Sequence, residues 1–367
     1  MLNLRSKYLW ASASVLAVVL MAIAPAEAQH YTRTDLTQDA AGVSPTAANT
    51  DPNLVNAWGL SRSSGSPWWV SDNGTGLSTL YDAAGVPQSL VVTIPAPGTS
   101  TGTSAPTGTA FNYTTGFPVA SGTPAVFLFV TEDGTVAGWN PGVSLTNAVI
   151  VVNHSKTAVY KGCAIAQTSF GPHFYATNFK TGRVDVFNQN FAPVRAEHDA
   201  FRDERLPDDF VPFNIQNVGG NLVVTFAHRK PGSKDEDHGA GMGYVDIFDA
   251  YGNLLQRLQH GKFLNAPWGI TEAPADFGAF SHRLLIGNFG DGTVNALDPI
   301  SGRFQGKLLD TTGAPLWIDG LWALSFGNGS KAGSSTDLYF TAGPSDENHG
   351  LLGKLAAVTT EQRGNTE

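Results

Sequence analysis

The chain has 367 residues, with 22 Lys and Arg against 31 Asp and Glu, and only 14% of its residues are charged. A sparsely charged, net-acidic surface argues against nucleic acid and anionic membranes as partners, and a single cysteine, Cys163, excludes internal disulfides and zinc–thiolate sites. Forty-one glycines and 21 prolines beside 42% hydrophobic residues suit an all-β chain with many tight turns.

The N-terminal stretch carries Arg5 and Lys7, an apolar run from Leu9 to Ile23, and Ala26-Glu27-Ala28. A basic start, an apolar middle and an Ala-x-Ala site make a secretory signal peptide, cleaved after Ala28. The alternative is an uncleaved membrane anchor, for which the run of 15 residues is short of the roughly 20 a spanning helix needs. No later segment is apolar enough to span a bilayer. The expectation is a secreted or periplasmic, monomeric protein: signal peptide 1–28, one domain over 29–358, and a frayed tail over 359–367.

From Asn53 onward one pattern recurs, clearest in Leu264–Arg303. There the strands WGITEA, RLLIGNF and TVNALD are separated by a loop and by the turn at Gly290–Gly292. β-Branched and apolar residues alternate with polar ones, and an Asp-Gly pair between two such runs is a strong hairpin signal. Aligned on one strand-a position, the units place Gly59, Gly108, Gly162, Asn214, Gly269 and Ala323 in register, at spacings of 49, 54, 52, 55 and 54 residues. A period near 50 with strand-type units is the signature of a β-propeller, and six units predict six blades. In the first unit strand a is WGL, strand b WWVSD and strand c TLYD; strand d is read at Ser89–Ile94, Ala148–Asn153 and Val194–Asp199. The sixth unit runs out of chain after strand c, near Val358, while Tyr31–Thr37 precedes the first blade without a partner. That segment is predicted to supply the outer strand of the last blade, closing the ring and removing a free sheet edge.

The motifs NAWGL, WWVSDNGTG, PTGTAFN, YKG, VPFNIQN, APWGI, LLIGNFGDG and DGLWALSFG follow in this order across nearly the whole mature chain. In this the chain is similar to an uncharacterised family of secreted bacterial β-propeller proteins. More distantly it resembles NHL-repeat and gluconolactonase-type six-bladed propellers. The resemblance implies architecture and export, and no agreed activity. Some members of that family end in a PEP-CTERM sorting signal. The ending KLAAVTTEQRGNTE has neither Pro-Glu-Pro nor a terminal apolar helix, so surface sorting by that route is not implied.

Few motifs demand chemistry. Gly98–Gly102 matches G-x-S-x-G, but that pattern needs a strand-to-helix elbow and here sits in a Gly/Thr/Ser loop. Neither H-E-x-x-H nor G-x-x-x-x-G-K-[ST] occurs. Cys163, in the apolar run KGCAIAQ, reads as a small buried hydrophobe rather than a nucleophile. In the insert Lys234–Asp246, Asp235, Asp237 and Asp246 fall at positions 1, 3 and 12 of a calcium loop. Ala240 stands where that loop needs glycine, so a solvated acidic loop is the better reading. Asp346–Gly350 is a similar polar insert in blade six.

Two sets of equivalent positions stand out. The end of strand b presents Asp72, Glu132, Asn178, His228 and Asn288, with Ala342 in the last blade. Asp and Asn there can satisfy turn amides without any ligand; Glu132 and His228 are poor turn residues and lift the set above that. Before the strand-a glycine stand Trp58, Thr107, Lys161, Phe213, Trp268 and Trp322. The aromatics are expected to wedge between blades, and Lys161 to pack its stem and leave its head in solvent.

The b–c and d–a loops emerge on one face, so a ligand is expected at the channel mouth there. Its candidate contacts are Asn56, Asp72, Glu132, Asn178, Asn214, His228, Asn265, Asn288 and Asp319. For a metal, Glu132, His228 and Asp319 are the candidate donors; oxygen ligands suit Ca2+, and His228 favours a transition metal. No catalytic residue is assigned. The expected function is binding of a small ligand, metal ion or protein partner, with a metal-dependent lactonase- or esterase-like hydrolase as the alternative.

Overall fold

The computed structural model describes residues 29–44, 46–98, 102–195 and 199–359. The expected signal peptide and the tail beyond residue 359 lie outside the described residues, as do Thr99–Thr101 of the G-x-S-x-G match.

Six small antiparallel sheets follow one another as a six-bladed β-propeller. Blade one is Ala57–Ser61, Trp68–Asp72, Leu77–Tyr81 and Val92–Thr93. Blade two is Pro106–Phe111, Phe127–Thr131, Thr135–Trp139 and Val149–Asn153. Blade three has Tyr160–Thr168, Gly171–Asn178 and Arg183–Asn188. Blade four is Phe210–Val218, Asn221–Arg229, Gly243–Phe248 and Leu254–Arg257. Blade five is Pro267–Glu272, Leu284–Asn288, Val294–Leu297 and Phe304–Lys307. Blade six is Leu321–Phe326, Leu338–Ala342 and Leu351–Ala357, completed by Tyr31–Gln38. The inner strands touch in cyclic order, the last against the first.

The closing strand is therefore where it was expected. It runs antiparallel to Leu351–Ala357, from Tyr31 opposite Ala357 to Gln38 opposite Leu351, with a bulge between Asp35 and Thr37. The fully buried Tyr31 packs on Phe277, 4.7 Å between ring centroids, and its hydroxyl donates to the Phe277 carbonyl at 2.9 Å. Strand d is the element the sequence reads worst. Ser89–Ile94 shrinks to Val92–Thr93, and Val194–Asp199 gives no strand among the described residues, Ala196–His198 lying outside them.

No blade could bury its own faces, and each covers its neighbour. Trp69 and Leu80 of blade one meet Phe127, Phe129 and Trp139 of blade two. Tyr175 and Val186 of blade three meet Ile215, Phe226 and Phe248 of blade four. Leu285 and Val294 of blade five meet Leu324, Phe340 and Leu355 of blade six. The middle strands, covered on both faces, accordingly read as unbroken apolar runs such as FLFV and LLIG.

The repeated glycine has its reason at the axis. A Cβ on Gly108 would come within 2.8 Å of the Cys163 nitrogen and 2.9 Å of the Gly162 Cα, and one on Gly269 within 2.8 Å of the Trp322 carbonyl oxygen. Neighbouring inner strands approach too closely there for a side chain. Polar side chains lace the same seam. The Thr107 hydroxyl donates to the Tyr160 carbonyl at 2.9 Å, Thr177 to Phe213 at 3.0 Å, and Asn214 Nδ2 to Trp268 at 2.7 Å.

Candidate ligand site at the channel mouth

Because the strand-a backbones crowd together, the residue before each glycine is delivered to the axis. Trp58 and Trp322 stack at 3.6 Å between centroids, Trp268 stands edge-on to both at 6.1 and 5.8 Å, and Phe289 stacks on Trp322 at 4.0 Å. Trp58 belongs to blade one and Trp268 to blade five, which are not neighbours. The rings thus meet across the channel and fill it, rather than wedging between blades as expected. Asn56, in the left-handed conformation at φ 49°, ties the cluster together. Its Oδ1 accepts from the indole nitrogens of Trp58 and Trp322 at 2.9 and 3.0 Å, and its Nδ2 donates to Glu347 at 2.5 Å and to Asn73 at 3.3 Å.

Above this floor sits a buried cation. Lys161 is 1% exposed, so its head is not in solvent. The ammonium lies 2.7 Å from Glu132 Oε1, 3.8 Å from Glu236 and 3.9 Å from Asp235, and 4.8 Å above the Trp58 ring. The correction has a physical cause: three carboxylates and an aromatic face replace the water that a lysine head otherwise keeps. Burial alone would raise the Glu132 carboxyl, but the adjoining ammonium outweighs it and holds the group down at about 2. Burial would lower Lys161, and the facing carboxylates instead hold it above the ordinary lysine range. The pair is a fixed ion pair, and Lys161 is not a base.

The two polar inserts deliver the rest. The blade-four insert crosses the mouth, bringing Lys234 Nζ to 3.5 Å from Glu132 of blade two and setting Asp235 and Glu236 against Lys161 of blade three. The blade-six insert brings Glu347 to Asn56. Burial pushes Glu236 up to about 7 against the pull of Lys161, and burial likewise raises Glu347 despite its hydrogen bond from Asn56. Both carboxylates lack a full counter-charge of their own.

The other predicted site residues are each bonded within the protein. Asp72, fully buried, accepts from the Thr79 hydroxyl at 2.8 Å, and burial raises its carboxyl well above the usual range. Asn178 donates to Asp185 at 3.0 Å, Asn288 to the Phe263 carbonyl at 2.7 Å, and Asn265 accepts from the Gly239 amide at 2.7 Å. Asp319 accepts from the Ser345 amide at 2.8 Å. His228 is paired with Asp209 at 2.9 Å, with Asp237 at 3.7 Å.

So the predicted metal donors Glu132, His228 and Asp319 have separate partners. Among the described residues, no three His, Cys, Asp or Glu side chains gather as a metal site requires. Asp246 lies in strand c and is buried against Asp203 and Arg257, away from a calcium loop with Asp235 and Asp237. A cavity of about 720 Å³ between the outer strands of blades three and four is lined by Arg195 and Asp199, which flank residues outside the described set.

Sequence reading missed Asn73, Glu236, Glu347 and the burial of Lys161. The signal was present in part: Lys161 is the odd member of its equivalent set and Glu132, with His228, one of two unusual members of the other, and opposite charges at two anomalous positions are a pair to test.

No family model matches the chain. Over 318 residues it is 33% identical to the uncharacterized protein R648 of Acanthamoeba polyphaga mimivirus, covering 84% of this chain and 76% of that one. Over 321 residues it is 33% identical to L690 of the same virus, covering 84% and 82%. Among solved structures it is similar to an auxiliary nutrient binding protein from Bacteroides ovatus, with TM-score 0.57, 12% identity, and 90% and 78% of the two chains covered. A streptogramin B lyase is similar at TM-score 0.50 and 12% identity, over 90% and 98%. At these identities the likeness is one of fold.

Proposed function

This chain belongs to one family with the mimivirus proteins R648 and L690, and on that premise we propose that it is an exported propeller whose b–c mouth binds a cationic group. The observation that carries this reading is the surplus of carboxylate at the mouth. Glu132, Asp235, Glu236 and Glu347 face only Lys161 and Lys234, and burial raises the carboxyls of Glu236 and Glu347 despite Lys161. Lys161 displays the mode of recognition, an ammonium against an indole face beside a carboxylate. An ammonium, a guanidinium or a divalent cation brought between Glu236 and Glu347 would supply the missing charge. Export rests on the leader and on the resemblance to secreted bacterial propellers.

A similar fold in a nutrient binding protein is in keeping with binding. One observation favours a second reading, hydrolysis: a carboxyl near 7 such as Glu236 is poised as a general base at neutral pH.

Calorimetric titration with spermidine, arginine amide and CaCl2 tests the main reading. Saturable binding of at least one is expected, weakened about tenfold or more in Glu236→Gln/Glu347→Gln. No binding of any, or binding indifferent to the double substitution, defeats it. Lactone or ester turnover lost in Glu236→Gln would instead establish the hydrolase. Export is checked by sequencing the N-terminus of the protein recovered outside the cytoplasm, which should begin at Gln29.

A further inference from the structure

Two lysines share one carboxylate at the channel mouth. Glu132 is buried, and its Oε1 faces Lys161 Nζ at 2.7 Å. Its Oε2 accepts from Asn73 Nδ2 at 3.2 Å and lies 3.5 Å from Lys234 Nζ. Lys234 thus brings a second ammonium to the carboxylate that already has the closest cation of the mouth.

The tether that holds Lys234 there is anchored at its base and loose at its tip. Arg229 and Glu236 pair across a short hairpin, with His228 opposite Asp237 behind them. Arg229 also donates to the carbonyls of Phe179 and Lys180 at 2.6 and 2.7 Å. Residues 230–235 form the tip, which turns through Gly232 at φ 79°. Lys234 is 58% exposed, and an ion pair with one exposed member at this distance is weak. Its ammonium can leave Glu132 without loosening the anchored base.

The seat it occupies is selective. A guanidinium binds a carboxylate best as a fork onto both oxygens, and Lys161 already holds Glu132 Oε1. A divalent cation such as Ca2+ takes about six to eight oxygens, and among the described residues no three metal-binding side chains gather for one. An ammonium on an alkyl stem needs a single oxygen, which is how Lys234 itself binds.

We infer that Lys234 is a tethered stand-in for the ligand, an autoinhibitory contact, and that the group displacing it is an aliphatic primary ammonium; this rests on the reading of the mouth as a cation site. Displacement exchanges one ammonium for another at Glu132 Oε2, and Lys234 swings into water. The resident contact must break before the ligand enters, so a chain without it binds the ligand more tightly.

The test is calorimetric titration of wild type, Lys234→Gln and Lys230→Gln, at one fixed pH and ionic strength, with cadaverine, N-acetyl-lysine amide, arginine amide and CaCl2. Lys234→Gln is expected to bind cadaverine or the lysine amide about three- to fivefold more tightly than wild type. A gain for cadaverine alone identifies a free diamine as the source of the ammonium, and a gain for the amide alone a lysine side chain. Lys230→Gln removes the same charge from the same insert, but Lys230 faces Asp237 at 3.3 Å. It should change amine affinity by less than about twofold. If Lys230→Gln gains as much as Lys234→Gln, net charge explains the effect and the inference fails. It fails too if arginine amide or CaCl2 gains as much as the amines. Amines bound alike by wild type and Lys234→Gln overturn the stand-in and leave the cation site intact. If no cation binds either protein, the reading of the mouth falls and the stand-in with it.

Discussion

Lys161 and Glu132 are the residues whose removal the mouth tolerates least. Each is buried, and replacing either alone deprives the other of its nearest counter-charge, at 2.7 Å. Lys161→Met should cost about 3–5 kcal/mol, whereas Lys161→Met/Glu132→Gln should recover part of the loss because the Glu132 charge is no longer left without its nearest partner. Urea unfolding of the single and double variants checks this, and a double variant no more stable than the single would contradict it. The same site predicts a pH dependence. Glu236 titrates at about 7 in the fold against an ordinary value of 4.5, so between those values the native state alone keeps the extra proton. Stability must then fall as pH rises through that window and level off above it. Asp246, raised to about 7 by burial and by Asp203, adds a slope of the same sign. Glu236→Gln should remove its share, at most about 3 kcal/mol between pH 5 and 8. A variant whose stability follows the wild-type profile across that range would show that Glu236 is not held as described. Glu132 works in the opposite sense. Its depressed carboxyl contributes stability above the ordinary range, and that is lost only as pH falls toward about 2.

At the scale of the strand, the glycine ring and the outer strands show why the sequence is legible in one place and opaque in another. Gly59, Gly108, Gly162 and Gly269 recur because four of the six inner strands meet a neighbour too closely for a side chain, and that repeated constraint writes a period into the chain. Gly108→Ala should therefore cost about 1–3 kcal/mol, since its Cβ would press on backbone at Gly162 and Cys163 rather than on a yielding side chain. A melting temperature equal to wild type would mean the inner strands have room to part. Outer strands are only half covered and face no such uniform demand, so Ser89–Ile94 carries a strand-like composition that pairs over two residues alone. The mouth was legible in its single residues and not in its pairing. Glu132 stood out as an acid, yet its lysine comes from the next blade and Glu236 from an insert on the blade after that. Ring topology brings them together, and no local spacing records it. The tryptophans misled for a related reason: position before a glycine predicts burial, while which neighbour buries them depends on how far the ring closes.

For the molecule as a whole, the decisive contact joins its two ends. Truncation of Tyr31–Gln38 should expose the edge of Leu351–Ala357 and lower the melting temperature markedly; an unchanged value would show that the ring holds without its clasp. Beyond stability, this clasp imposes an order in time. Its two strands lie more than 300 residues apart, so their pairing has a very high contact order and carries the largest loop-closure penalty in the chain. During synthesis the segment HYTRTDLTQ emerges ahead of all six inner strands and must wait, unpaired, until the final strand of the sixth blade follows it. A waiting strand with an apolar face is open to pairing with the wrong chain. Two copies caught at this stage could exchange it. A free peptide of the same sequence should compete for the vacancy, slowing the closing step when added to refolding wild type and restoring the melting temperature of the truncated form.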